Sequence, residues 1–353
     1  NQNWMIYGAN GYTGALIAEE AVRRGHRPIL SGRNREAVEA LASRLRLPAA
    51  PCDLGHSESL RAAIAGCRLV LHCAGPFSQT SRPMLDACLA ERAHYLDITG
   101  EIDVFSACFD RSAEAIQRGI SVIPGVGFDV VPTDSVAAML KEAVPGATSL
   151  VLAFEATGGP SLGTAKTSVA GLARGGRVRR QGKLTEVPLA FKTRTFLRNG
   201  TPRLAMTIPW GDVFTAGITT GIADIEVYMA TSPATIANAR RFNWLRPLLR
   251  FGPVFRFIEA RMIASVQPPS AERRSRTNCY IWGEAEGPSG RKAAIEIETP
   301  NGYDLTVTAA LGIVEHILDT PAVPPKPGYL TPSQLMGPRY VLGLPGVFVK
   351  AGL

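Results

Sequence analysis

The sequence predicts an α/β protein in which an N-terminal, doubly wound parallel sheet is followed by a second α+β domain with a mixed or antiparallel sheet. Three observations lead to this prediction. A glycine-rich turn closes the first apolar run, and period-two runs dominate after residue 148. Between them, as far as residue 124, apolar runs alternate with helical patterns, which include predicted helices at 81–93 and 101–118. Repeated βα units imply a parallel sheet covered by helices. Alternating strands joined by short turns favour antiparallel pairing.

The glycine-rich turn, GANGYTG, has the pattern of a dinucleotide-binding turn. Gly8 lets the chain turn tightly, Gly11 lets the backbone approach a pyrophosphate, and Gly14 lets the following helix pack closely on the strand. We expect that helix to begin near Thr13, with its positive dipole end toward the phosphates. The turn therefore predicts a Rossmann-type cofactor domain rather than a turn without a ligand. The predicted cofactor-binding residues of this turn are Gly8, Asn10, Gly11, Tyr12, Thr13 and Gly14.

The second strand, RPILSGRN at 27–34, ends without the carboxylate that NAD-specific sites use to hold the adenosine 2′-hydroxyl. Ser31 occupies that position, and Arg33 and Asn34 follow it. A guanidinium attracts a 2′-phosphate that a carboxylate would repel. The strand end therefore predicts NADP(H) as the cofactor, with a plain surface arginine as the alternative.

The later strand ends complete the predicted cofactor site. A strand near 49–53 ends in Asp53, which either approaches the adenine edge or caps the helix beginning near Ser57. The next strand, 68–75, is almost entirely apolar, and its His72 is predicted to be a satisfied core histidine. Because the carboxyl ends of parallel strands meet at one edge, these positions converge on one crevice. The further cofactor-binding residues predicted are Ala74, Gly75, Pro76, Phe77, Gly100, Gly125 and Phe128.

Composition indicates a soluble globular protein of two domains. The chain has 353 residues, 46% of them hydrophobic and 19% charged, which is too long for one ordinary core. No apolar run approaches the ~20 residues of a membrane span, and no signal peptide precedes the first strand. Six scattered cysteines without a CxxC pair are interpreted as buried thiols rather than zinc ligands. We therefore expect a cytoplasmic protein without a metal.

The net charge of +8 is densest in RGGRVRRQGK at 174–183. Such a cluster is either a solvated basic face or an attraction for an anion, such as nucleotide phosphates, an acidic substrate or an acyl carrier. Nucleic acid is not favoured, because no binding motif or interleaved aromatic residues accompany the charge.

Several stretches resemble the saccharopine dehydrogenase-like oxidoreductases, and among them the trans-acting enoyl reductase group. The GFDVVPTD and PWGD segments are the specific ones. The resemblance implies NAD(P)-dependent hydride chemistry on a Rossmann domain with an inserted α/β domain. It does not define the substrate, because members act on amino-acid imines or on polyketide-like enoyl chains. The stretches that carry it are IYGANGYTG (6–14), HCAGPF (72–77), YLDITGE (95–101), PGVGFDVVPTD (124–134), GGPSLGTAKT (158–167), PWGDVFTAGITTGIADIEVY (209–228), WGEAEG (282–287) and GYLTPSQLMGP (328–338).

The function predicted is an NADPH-dependent oxidoreductase that transfers a hydride to the C=C bond of an enoyl, lipid-like or polyketide-like substrate. One alternative is reduction of an amino-acid imine, for which Arg174 and Arg177 could hold carboxylates. Another is a non-catalytic, lipid-associated NADP-binding protein. The YxxxK pair of short-chain dehydrogenases is absent, since no tyrosine has a lysine four places on. The candidate catalytic residues are Lys166, Tyr228 and Asp129, although a bound water could supply the proton for C=C reduction.

The predicted domain boundary lies after residue 128. Residues 1–128 form the NADP-binding domain, 129–321 form a substrate and dimerisation domain, and 322–353 return to the first domain. A helix near Pro132 opens the second domain. The segments expected in it are strands at 148–158, 187–197, 203–208, 222–230, 276–287, 291–300 and 303–314, and a helix at 163–173.

The stretch 239–263 mixes arginines with large apolar residues and is broken by Pro247 and Pro253. It could lie on a membrane surface, form a dimer face or line an apolar substrate tunnel. A helix pair with its arginines in solvent is the simplest interpretation. We expect a homodimer that binds a small-molecule or acyl-chain substrate.

Overall fold

A computed structural model of the chain contains two domains. The first comprises Asn1–Val131 with Tyr303–Met336, and the second comprises Pro132–Gly302 with Gly337–Leu353. The described residues are 3–156, 159, 171, 175–246, 260–261, 269–288, 290–319 and 326–352.

The strands, numbered in chain order, are β1 (Trp4–Tyr7), β2 (Ile29–Ser31), β3 (Leu69–His72), β4 (His94–Asp97), β5 (Ser121–Ile123), β6 (Ser149–Glu155), β7 (Gly176–Arg180), β8 (Lys183–Val187), β9 (Thr193–Arg198), β10 (Thr201–Thr207), β11 (Asp224–Ala230), β12 (Asn278–Glu286), β13 (Lys292–Pro300), β14 (Gly328–Tyr329) and β15 (Phe348–Gly352). The helices, numbered in the same way, are α1 (Tyr12–Arg23), α2 (Arg35–Leu45), α3 (Ser57–Ile64), α4 (Phe77–Glu91), α5 (Ile102–Asp110), α6 (Ser112–Arg118), α7 (Val131–Ala143), α8 (Asp212–Thr220), α9 (Pro233–Leu245), α10 (Ala271–Ser275), α11 (Gly302–Asp319) and α12 (Pro332–Met336).

The first domain is a six-stranded parallel sheet in the order β14-β5-β4-β3-β1-β2. Every residue of β1, β3 and β4 is buried, as expected for strands covered by helices on both faces. The chain leaves β1 toward β2 on one side and returns to β3 on the other. A sheet of this kind binds ligands beyond the strand ends at that reversal. The predicted doubly wound fold is confirmed.

Three predictions for segments that the structure places in the first domain were wrong. The strand near 49–53 is a single bridge between Leu30 and Ala49, because prolines at 48 and 51 remove N–H donors. The helix predicted over 101–118 is two helices, α5 and α6. The strand predicted at 303–314 is helix α11. Its β-branched residues suggested a strand, but the buried Leu305, Ala309 and Ile313 recur every four residues, as on one face of a helix.

Helix α11 also changes the predicted domain boundary. Thr306 Oγ1 accepts a hydrogen bond from the Phe128 N–H at 2.9 Å, and Glu315 accepts from Arg24, so this helix is part of the first domain. The return segment is split. Its residues 328–336 carry β14, which pairs with β5, whereas β15 pairs with β13 in the second domain. Of the segment predicted to return to the first domain, residues 328–336 lie in that domain, whereas 348–352 belong to the second.

The second domain is built on a mixed sheet in the order β15-β13-β12-β6-β11-β10-β9, with β7 pairing to β11 and β8. Strands β6 and β11 are parallel, and the other pairs are antiparallel. One face is apolar and lies under α7. A Cβ on Gly283 would lie 2.3 Å from Val136 Cγ1, so only glycine lets the helix approach β12 this closely.

The other face of this sheet carries buried aromatic side chains, which are Phe196, Tyr228, Tyr280 and Trp282. The Trp282 Nε1–H donates to Leu197 O at 2.8 Å, although β9 is the edge strand and β12 lies four strands away. The sheet therefore curls until its edge covers its own centre, and the aromatic side chains fill the enclosed space. None of the described helices is long and apolar enough to cross a membrane.

The first domain is predicted to lose stability in acid because it buries neutral imidazoles. His72 is fully buried, with Nε2 3.0 Å from Thr80 Oγ1 and no hydrogen-bond partner for Nδ1 among the described residues. Burial lowers the pKa of His72 from 6.5 to about 3, and burial together with the charge of Arg68 lowers the pKa of His94 to about 4. Stability from these histidines is present above pH 6.5 and is lost as the pH falls toward those values.

We expect His72→Leu to flatten this dependence by roughly 1.4 kcal/mol per pH unit below 6.5. The measurement is the free energy of unfolding in urea across this pH range. His56→Leu, at an exposed position, is the control and should keep the wild-type slope. An unchanged slope in His72→Leu would contradict the assignment.

Candidate active site

The candidate site lies at the carboxyl edge of the first-domain sheet, where β1 ends between β2 and β3. Gly8 has a φ of +80° and donates its N–H to Ser31 O at 2.9 Å. A Cβ on Gly8 would lie 2.8 Å from the backbone nitrogen of Ala74, which follows β3. Only glycine therefore lets this turn lie against the exits of both neighbouring strands.

The next two glycines of the turn differ in what surrounds them. A Cβ on Gly14 would lie 2.3 Å from Gly8 O, so the first turn of α1 rests directly on the turn after β1. A Cβ on Gly11 would meet only Gly8 O within 4 Å, at 3.2 Å, so the space beside Gly11 is open. Gly11 is the N-cap of α1, and the first turn has no acidic side chain. An open, uncapped helix start is suited to a pyrophosphate.

The exit of β2 presents Arg33 and Asn34, which are exposed. Asn34 caps α2, its side chain accepting from Ala37 N at 3.1 Å. The prediction that the Ser31 side chain faces the cofactor was wrong. That side chain is fully buried and donates to Ala50 O at 2.6 Å, because the hydroxyl joins β2 to the segment that replaces the missing strand. Arg33 is thus the cation at this strand end.

Sequence reasoning missed Gly32, which lies between these residues. A Cβ there would be 2.8 Å from Asn10 Oδ1, so the missing side chain makes room for the predicted Asn10. Asp53 forms a local turn in which Oδ1 accepts from Gly55 N at 2.7 Å. Helix α3 has His56 as its N-cap, so the capping role proposed for Asp53 was wrong and the cofactor role stays a prediction.

The loops after β4 and β5 are joined by Asp97. This fully buried carboxylate accepts hydrogen bonds from Tyr95 Oη at 2.6 Å, Thr99 N at 3.0 Å and Gly125 N at 2.9 Å. Burial raises its pKa to about 6, and the hydrogen bonds partly offset that effect. Asp97 therefore holds the predicted Gly125 and the turn that leads to Phe128 in place.

A second carboxylate, Glu101, holds the start of α4. It is buried and accepts from Phe77 N at 2.8 Å and Ser78 N at 3.1 Å. Helix α4 begins at Phe77, not near 81 as predicted, so the small residues after β3 lead straight into a helix start. Sequence reasoning did not select Glu101. Its signal was an acidic residue after a buried strand, within the YLDITGE segment.

Asp129 is the predicted catalytic residue whose surroundings suit proton transfer. Its carboxyl group lies on Gly100, where a Cβ would be 2.7 Å from Oδ2. Burial, followed by repulsion from Glu101, raises the pKa of Asp129 to about 7. The side chain is nevertheless half-buried rather than enclosed. A carboxyl group that changes protonation near neutral pH is suited to act as an acid.

The other two predicted catalytic residues are Tyr228 and Lys166. Tyr228 belongs to the aromatic side chains of the second domain, where its hydroxyl donates to Glu226 Oε2 at 2.6 Å and its ring packs on Phe196. Lys166 lies outside the described residues, as does most of 239–263. The proposed membrane contact and the catalytic roles of both residues stay predictions. Within the described ranges, no three His, Cys, Asp or Glu side chains are grouped to hold a metal ion.

The fold and the residues at this edge are those of a dinucleotide-binding domain. Residues 4–123 match the family model of the saccharopine dehydrogenase NADP binding domain, which confirms the predicted resemblance and supports the predicted nicotinamide cofactor.

Curated proteins with related names are similar to this chain over part of their length. A saccharopine dehydrogenase-like oxidoreductase from Bos taurus is 29% identical over 150 residues, covering 37% of this chain and 35% of the relative. A trans-acting enoyl reductase from Mycobacterium bovis is 30% identical over 138 residues, covering 37% of this chain and 33% of the relative. The match thus spans about a third of the length of these curated relatives. The fold of the whole chain is similar to saccharopine dehydrogenase (L-Glu forming) from Saccharomyces cerevisiae, with a TM-score of 0.65, 11% identity and 100% of each chain covered.

Because Gly11 and Gly14 have different surroundings, we expect substitution of Gly11 to affect cofactor binding and substitution of Gly14 to affect stability. Gly11→Val fills the open space, so it should abolish NADPH and NADH binding at concentrations that saturate the wild type, while the melting temperature stays close to the wild-type value. Gly14→Ala places a methyl group against Gly8 O and should cost about 1–3 kcal/mol of stability. Calorimetric titration and thermal unfolding measure the two effects. Normal cofactor binding by Gly11→Val would show that the dinucleotide binds elsewhere.

Proposed function

We propose that this protein is an NADPH-dependent reductase that adds a hydride to the C=C bond of an enoyl group on a lipid-like or polyketide-like chain. The observation that carries the proposal is the combination, at one sheet edge, of an open glycine turn and a carboxyl group with a pKa near neutrality. The likeness to trans-acting enoyl reductases supports the C=C bond as the group reduced.

The residues present fit a dinucleotide. The backbone of the turn from Gly8 to Gly11 would hold the pyrophosphate, since the space beside Gly11 is open. Arg33 and Asn34 would hold the 2′-phosphate of the adenosine. Gly75 and the turn before Phe128 would accommodate the nicotinamide end. The bound cofactor supplies the hydride, and the chain's own residues orient the acceptor and manage its proton.

Asp129 is proposed to hold that proton. Near neutral pH a substantial fraction of its carboxyl groups is protonated, because burial and Glu101 disfavour the charged form. The carboxyl oxygen would give the proton to the acceptor carbon that does not receive the hydride. Because the side chain is only half-buried, water can restore the proton after each turnover.

The NADP preference is tested at Arg33. Removing the guanidinium should weaken NADPH binding roughly tenfold to a hundredfold, the range expected for a charged hydrogen bond, and should leave NADH binding unchanged. Dissociation constants for both cofactors measure the effect. Arg35→Ala, an exposed arginine that pairs with Glu39, is the matched control. Equal losses for NADPH and NADH in Arg33→Ala would remove the 2′-phosphate role.

The acid role is tested at Asp129. An acid with a pKa of about 7 is active when protonated, so kcat/KM for NADPH-dependent reduction of an enoyl thioester should fall as the pH rises through 7. Asp129→Asn should lower kcat/KM by about 10²–10⁴-fold and remove this inflection. Asp103→Asn, at an exposed carboxylate, should change neither. Turnover of an amino-acid imine, but not of the enoyl thioester, would favour C=N reduction instead.

A further inference from the structure

Three arginines of the basic sequence cluster, Arg177, Arg179 and Arg180, lie on strand β7 of the β7–β8 hairpin and have different surroundings. Arg180 is exposed and pairs with Glu226 at 3.2 Å, and Arg177 lies 3.5 Å from Glu186. Arg179 has no hydrogen bond or ion pair with any residue that the structure describes. Its Nε is completely buried and has no acceptor in the part of the chain that the structure describes.

Arg179 also lies on the apolar side of the second-domain sheet. It is directly opposite Ile225 of β11, so the two side chains share a face. Ile225 is fully buried, and helix α8 packs against β7 and β11 on this side. The guanidinium rests on the backbone of that helix at Gly217, where a Cβ would lie 2.7 Å from both Cζ and Nε of Arg179. Because Gly217 has no side chain, helix α8 leaves the space that the Arg179 guanidinium occupies.

An unpaired cation in such a place is unfavourable. Burial lowers the pKa of Arg179, because a partly buried position disfavours the charged form. Apolar faces normally carry charged groups only when an opposite charge compensates them. Arg180, the next residue, points to the other face of the sheet, where it pairs with the carboxylate of Glu226. The hairpin thus holds one partly buried guanidinium, that of Arg179, with no carboxylate among the described residues to balance its charge.

We propose that Arg179 is the anchor of an anion-binding site in the second domain, which takes a phosphate or carboxylate group of a small ligand. A guanidinium presents a planar fork of N–H donors that matches both groups. The shared chemistry is a compact oxyanion, carried either as a phosphate ester or as a carboxylate. The site belongs to the second domain alone, so it does not depend on the cofactor or the reaction proposed above.

The test compares Arg179→Met with Arg180→Met in the full chain. Methionine retains an apolar stem but removes the charge, and Arg180 is the neighbouring arginine with a carboxylate partner. Inorganic phosphate and succinate are the probes, and calorimetric titration and the melting temperature are the measurements. NADPH binding is measured in parallel as a readout of the first domain, and it should be equal in all three proteins.

We expect the wild type and Arg180→Met to bind at least one probe roughly tenfold or more tightly than Arg179→Met does. Binding of phosphate alone identifies a phosphate ester as the ligand group, and binding of succinate alone identifies a carboxylate. Without a probe, Arg179→Met should melt at the wild-type temperature or above it, because an uncompensated charge has been removed.

Equal probe binding by Arg179→Met and the wild type would overturn the proposal. So would a fall in melting temperature with no probe-dependent difference, since Arg179 would then be a structural residue. Gly217→Ala is the second variant. This variant keeps Arg179 but places a methyl group where the guanidinium lies, so it should also weaken probe binding. Retained probe binding in Gly217→Ala would contradict the geometry of the site.

Discussion

The contact between Gly14 and Gly8 is the constraint on which the rest of the first domain depends. Helix α1 can rest on the turn after β1 only because Gly14 presents no side chain toward Gly8 O. The same turn lies against the exits of β2 and β3, so its position determines where three strand ends meet. An open space beside Gly11 follows from this packing, and that space is what a dinucleotide requires.

Buried carboxylates organise the other half of this edge. Asp97 joins the loops after β4 and β5, and Glu101 holds the start of α4. Both use backbone N–H groups as donors, so each carboxylate orders a loop and is itself satisfied. Asp129 accepts no comparable set of hydrogen bonds from the described residues, and it is repelled by the nearby Glu101. The difference in partners, rather than in residue type, separates the structural carboxylates from the one suited to proton transfer.

Arginine side chains on the two faces of the second-domain sheet have different surroundings. Arginines on its curled face pair with carboxylates, as Arg198 does with Glu155, and lie over aromatic rings. Arg179 lies on the apolar face beneath a helix and has no such partner among the described residues. Of the described arginines in the basic cluster, Arg177 and Arg180 therefore pair with carboxylates, whereas no described residue balances the charge of Arg179.

The sequence by itself determined the parallel sheet, the glycine turn and the cation at the end of β2, because these depend on local periodicity and on residues adjacent in the chain. Tertiary structure decided the rest. Helix α11 was misread as a strand because its β-branched residues have strand propensity, while its packing against the first domain is non-local. Ser31 was misassigned because its hydroxyl bonds to a segment nineteen residues on. The surroundings of Asp129, Glu101 and Arg179 were likewise beyond sequence reasoning, since burial and pairing are set by residues that only folding brings together.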